Sequence, residues 1–167
     1  MKKLLYTSVI ALFCLVSYAQ DKPKMPSPPA TVVGKVNDAN VTIKYHQPSI
    51  KGRNVWEALA PYGKVWRTGA NNATTIEIDQ DIKIEGKALA KGKYALFTIP
   101  GEKEWVIIIN SKAAQWGAYS YKADEDVLRV TVPVKKSTEF NEVFLIALDK
   151  NILSLNWENV KVGVKLN

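Results

Sequence analysis

The sequence contains one cysteine and one histidine. Cys14 lies in an apolar run near the N-terminus, and the chain beyond it has no thiol. Past that run there can be no disulfide, no cysteine nucleophile and no Cys-ligated metal site, so stability must come from packing. His46 alone is a poor start for a metal centre, which takes three or four ligands. Also missing are a G-x-S-x-G elbow, a Walker loop, an H-E-x-x-H helix and a dinucleotide fingerprint. Asp124-Glu125-Asp126 lacks the alternating ligands and fixed glycine of a calcium loop. No cofactor and no metal are expected. No block of five or six like charges appears either, which argues against a nucleic-acid surface.

What is present begins with an export signal. Lys2 and Lys3 supply a positive start, Leu4 to Val16 is a mostly apolar run, and Ser17-Tyr18-Ala19 offers small residues before a cleavage point at Gln20. The run is short for a membrane span, which takes about 20 residues. Phe13 precedes Cys14 where a lipoprotein signal would want a small residue. The expected location is therefore periplasmic or extracellular, with no integral membrane segment left after cleavage. Removing residues 1–19 from the 167 leaves 148, enough for one ordinary domain. The signal carries two lysines and no acid, so the formal charge falls from +7 to +5. The lysines alternate with apolar residues as on solvated strand faces, leaving weak attraction to anionic polymers as the consequence.

Residues 20–29 hold Pro23, Pro26, Pro28 and Pro29, an extended leader ahead of a domain spanning 30–167. From Thr31 the chain has a period of two. Val41, Ile43 and Tyr45 alternate with Thr42, Lys44 and His46, and Thr74 to Ile78 and Ile82 to Glu85 behave alike. Trp105 to Ile109 is apolar throughout, as in a strand covered on both faces. Val127–Val134 and Val143–Leu148 predict two further strands. Leu153–Trp157 and Val160–Val164 predict a closing hairpin around Glu158-Asn159. One short helix is expected at Asn54–Ala60, capped by Asn54 and stopped by Pro61, with Trp56 and Leu59 on one face plugging the end of a sheet pair. Nine or ten short strands with one small helix predict an all-β antiparallel sandwich or jelly-roll-like fold, a closed barrel being the alternative.

Two segments carry residues that plain strands do not need. The stretch from Pro61 to Thr75 mixes Trp66, Arg67, Thr68, Gly69, Asn71 and Asn72, a composition for a shaped loop. Arg67 presents a fork of donors suited to carboxylate or phosphate, and Trp66 a face for a sugar or an apolar ring. The structural alternative is internal, with Trp66 in the core and Arg67 paired to a buried acid. The second segment, Asn110 to Tyr121, brings Trp116, Tyr119 and Tyr121 into a predicted loop. If both loops share one end of the fold, Trp66 and Trp116 would line one cleft. The candidate ligand-binding set is Trp66, Arg67, Thr68, Asn71, Trp116 and His46, with no catalytic residue assigned.

Three pieces resemble the exported bacterial family catalogued as domain of unknown function 2911. They are Pro61-Tyr62-Gly63-Lys64-Val65-Trp66-Arg67-Thr68-Gly69-Ala70-Asn71, then Leu96-Phe97-Thr98-Ile99-Pro100-Gly101 with Trp105, and Gln115-Trp116-Gly117. Ser27-Pro28-Pro29-Ala30 and Trp157-Glu158-Asn159 also fit, so the likeness spans the chain after the signal. Asn72 departs from it, standing where the family pattern has an acid. The resemblance implies export and one small domain but no reaction. The expected function is a non-catalytic binding domain for a small or polymeric ligand, with a glycan or small anion as candidates. The alternatives are an envelope hydrolase using His46, Arg67 and an acid such as Glu57, and a structural or protein-interaction module.

Overall fold

The computed structural model describes residues 26–167; the signal segment 1–19 and residues 20–25 of the leader lie outside the described residues. Nine strands form among the described residues: β1 (Pro29–Val36), β2 (Ala39–His46), β3 (Thr74–Ile78), β4 (Ile82–Ile84), β5 (Lys87–Leu89), β6 (Gly92–Ile99), β7 (Glu104–Asn110), β8 (Asp126–Asp149) and β9 (Ile152–Lys165). Seven make one antiparallel sheet in the order β1-β2-β3-β6-β7-β8-β9, and β4 and β5 make a separate hairpin. The fold is all-β and antiparallel, as the alternation predicts.

The two packed layers come from one sheet curled into a half-barrel. The segment after β2 reaches across to the second half of β8: Phe144 N–H donates to Pro48 O at 2.9 Å and Ile50 N–H to Glu142 O at 3.0 Å. Tyr45 Oη accepts from Ile146 N–H at 3.1 Å. On β1, Gly34 lies against Leu148, where an added Cβ would stand 2.8 Å from the tip of the leucine side chain, so glycine lets this edge approach without displacing it. The small hairpin docks on the far edge, where Lys83 and Asn167 exchange two backbone bonds of 2.7 and 2.8 Å.

The concave face holds the main core. Val41, Ile43 and Tyr45 of β2, Ile76 and Ile78 of β3, and Leu128, Val130 and Val132 of β8 all turn into it, while their odd-step neighbours face out. β7 is buried on both sides, because Trp105, Ile107 and Ile109 enter this core while Ile108 joins Ala73, Ala95 and Phe97 on the convex face.

Two elements differ from the sequence prediction. Residues 126–149 form one strand of 24 residues instead of two, and 152–165 one of 14 instead of a hairpin. Glu158 takes a left-handed φ of 50° without reversing the chain, and it pairs with Asn141 where the β8–β9 register shifts. The burial parity shows why: Leu153, Leu155 and Trp157 point inward, and then Val162, Val164 and Leu166 do. A change from odd to even is what one extra residue in a bulge produces, whereas a hairpin needs the chain to turn back.

The expected helix is a single turn at Val55–Leu59, with Asn54 Oδ1 accepting from Trp56 N–H at 3.1 Å as a cap. Trp56 and Leu59 pack against the main core, so the turn does plug the half-barrel. Trp56 Nε1 donates to Glu158 Oε2 at 2.6 Å, tying the plug to the bulge.

Candidate functional site

Trp66 is pinned to β6 by two backbone bonds with Thr98, of 2.7 and 2.9 Å. This extended geometry sends Trp66 to one face and Arg67 to the other. Trp66 goes inward. It is 4% exposed, stacks on Trp157 with ring centroids 5.3 Å apart, and meets Phe144 at 4.9 Å. Thr68 is also sealed, with its hydroxyl on Thr98 Oγ1 at 3.2 Å. Neither side chain can reach a ligand, so the expected cleft lined by both Trp66 and Trp116 does not form. The reason is register: the most conspicuous aromatic of the loop lands on the concave side.

The rest of the loop is a rigid support for the convex face. Thr68 and Asn71 both take left-handed φ, 54° and 59°, at about 1 kcal/mol or more each for residues with a Cβ. They are held by Thr74 Oγ1, which donates to Thr68 O at 2.6 Å, and by Ala70 N–H on His46 O at 3.1 Å. A Cβ on Gly69 would stand 2.9 Å from His46 O, so the backbones touch there.

The second segment lies against this support. Ala73 N–H donates to Gln115 O at 3.0 Å and Gly117 N–H to Asn71 O at 3.1 Å, so residues 71–73 and 115–117 run as a short ladder. Buried Asn110 anchors one end. It donates to Asp126 Oδ1 at 2.9 Å and accepts from Gln115 Nε2 at 3.0 Å. Tyr121 anchors the other, its ring 5.0 Å from Phe97 and its hydroxyl on Asp126 Oδ2 at 2.7 Å. Burial, then the Asp126 carboxylate, push the Tyr121 hydroxyl up to about 12. Between these anchors Trp116 and Tyr119 stand out, 63% and 87% exposed.

Trp116 borders a depression of about 520 Å³ whose walls include Asn72, Thr75, Lys93 and Gln115. A second depression of about 260 Å³, walled by Thr31, Lys44 and His46, shares Asn72, Ala73 and Thr75 with the first. No carboxylate lines either one. The two form an elongated groove across the outer face of β2, β3 and β6, a surface that can lay an aromatic plane and several polar groups along an extended ligand. Of the candidate set, Trp116 and His46 line this groove. Asn71 lies in its supporting ladder, and Trp66 and Thr68 lie beneath it. The internal alternative holds for Trp66, which is in the core, but not for Arg67, which takes part in no ion pair or side-chain hydrogen bond among the described residues. Lys93 and Thr75 were not singled out from sequence; Asn72 was marked in the loop and Gln115 in the Gln115-Trp116-Gly117 piece, but neither was placed in the candidate set. Strand parity could have found Thr75, which shares the outward phase of β3 with Glu77, but not Lys93, whose phase in β6 continues through buried Ala95 and Phe97.

The fold and groove define an all-β domain that presents an open aromatic-and-amide surface on a curled sheet. The chain belongs to the protein family of unknown function DUF2911, whose family model matches residues 27–166. No curated protein and no solved structure matches the chain.

Proposed function

We propose that this protein is an exported, non-catalytic binding domain that takes a carbohydrate along the groove beside Trp116. The observation that carries this reading is Trp116 itself. A tryptophan 63% exposed on an anchored loop gives up the hydrophobic gain of burial, and a sugar ring laid on its face would recover it. Asn72, Thr75, Gln115 and Lys93 supply the mixed donors and acceptors that hydroxyl groups need. The shared wall between the two depressions favours a ligand longer than one sugar.

A hydrolase finds less support. Glycoside cleavage takes two carboxylates about 5–9.5 Å apart across the scissile bond, and the groove lining has none. His46 has threonine and lysine neighbours in the second depression, and Glu57 is exposed on the helical turn that plugs the half-barrel. Export is supported by the N-terminal sequence alone.

The test is a thermal-shift screen of the purified protein against neutral and acidic oligosaccharides, repeated with Trp116→Ala. A ligand at 100 times its dissociation constant raises stability by about 2.7 kcal/mol. That shift should disappear in the variant while its unliganded melting temperature stays put. An identical shift in both proteins would remove Trp116 from the site.

A further inference from the structure

Among the described residues Arg67 is a charge without a partner. Its position between buried Trp66 and Thr68 fixes its direction onto the convex face, and the segment carrying it is laddered to the one carrying Trp116 and Tyr119. Its Nε is buried with no acceptor, and no side-chain hydrogen bond or ion pair involves the guanidinium among the described residues. The terminal nitrogens are the part left open to solvent. Burial lowers its pKa and the nearby Tyr119 hydroxyl raises it, with no carboxylate acting on it. A half-buried cation of this kind costs stability unless an anion completes it.

We propose that the ligand is an acidic glycan that extends past the groove, whose lining includes neither Arg67 nor Tyr119, and that Arg67, beside the exposed Tyr119, takes its carboxylate. This rests on the carbohydrate reading above and specifies its ligand class. The two terminal nitrogens of a guanidinium match the two oxygens of a carboxylate, giving a bidentate, charge-assisted pair. Tyr119 offers a hydroxyl and a ring edge next to the same group, and Trp116 takes the sugar face on the other side of the ladder. Lys44 along the groove adds positive potential for a polymer carrying an acid on each residue, while Lys93 is paired with Glu77 at 3.6 Å.

The experiment is calorimetric titration of the purified protein with galacturonate oligomers and with their methyl esters of equal length. The acid form should bind about tenfold or more tightly than the ester, and added salt should narrow that gap. Arg67→Gln should bring the acid form down to the ester's affinity and leave the ester unchanged. The unliganded melting temperature of Arg67→Gln should equal or exceed that of the wild type, because an uncompensated charge has been removed; a marked fall would make Arg67 a structural residue and overturn the proposal. Equal binding of acid and ester would overturn the acidic preference and leave carbohydrate binding standing. Silence with both saccharides, together with a sulfate-induced thermal shift that Arg67→Gln abolishes, would retain an anion site and overturn the glycan.

Discussion

The two faces of the curled sheet use tryptophan in opposite ways. On the concave face Trp66, Trp105 and Trp157 are each 4% exposed or less and pack edge-to-face or stacked on one another and on Phe144. On the convex face Trp116 stands in solvent on a loop anchored at both ends by a buried polar network. The residue type is the same and the burden differs. One set packs inside the half-barrel, and the other residue lies outside its core. Function is therefore to be sought where the polar scaffolding is dense and the aromatic is not covered.

Substitutions should separate the faces in order of size. Trp157→Ala removes the ring stacked on Trp66 at 5.3 Å, and should cost about 3–5 kcal/mol in chemical denaturation. A cost below about 1 kcal/mol would mean that the aromatic cluster is not the keystone of the concave side. Gly69→Ala tests the junction between faces. A Cβ there meets His46 O at 2.9 Å and Thr74 Oγ1 at 3.1 Å, and the overpacking should cost about 1–3 kcal/mol.

Tyr121→Phe should cost about 1 kcal/mol by breaking the bond to Asp126. It should also flatten one limb of the pH profile. The folded protein holds the Tyr121 proton up to about 12, against 10.0 for the ordinary phenol. Folding is thus favoured by this group in full below pH 10 and loses that contribution as the pH rises towards about 12. Denaturant midpoints measured from pH 9 upward should fall in the wild type and fall less in the variant, about in that window. Smallest on stability is Trp116→Ala, within about 0.5 kcal/mol, although it should abolish glycan binding. A large loss of stability there would show that the convex aromatic is structural after all.

Period two made most of the strands legible. The alternation at Val41–His46 and Thr74–Ile78 gave both the strands and their inward faces, and Asn54 gave the cap. The half-barrel was not legible, because curl depends on which distant edges meet, such as Gly34 with Leu148, and no local pattern records that. The bulge at Glu158 looked like a turn because Glu-Asn there carries turn chemistry, while the parity change that distinguishes a bulge lies in residues on both sides. For the groove, Trp116 and His46 were visible as types, but Trp66 was misplaced since an irregular loop gives no phase from which to count. Lys93 looked ordinary, Gln115 was marked only through the family resemblance, and only the fold brings them together.

The most direct measurement follows the five tryptophan indole N–H signals by nuclear magnetic resonance while a galacturonate oligomer is titrated in, with Trp116→Phe used to assign one of them. The Trp116 signal should move with saturation while those of Trp66, Trp105 and Trp157 hold still. Movement of the concave-face indoles with a motionless Trp116 would put the ligand on the wrong side of the sheet and contradict the account.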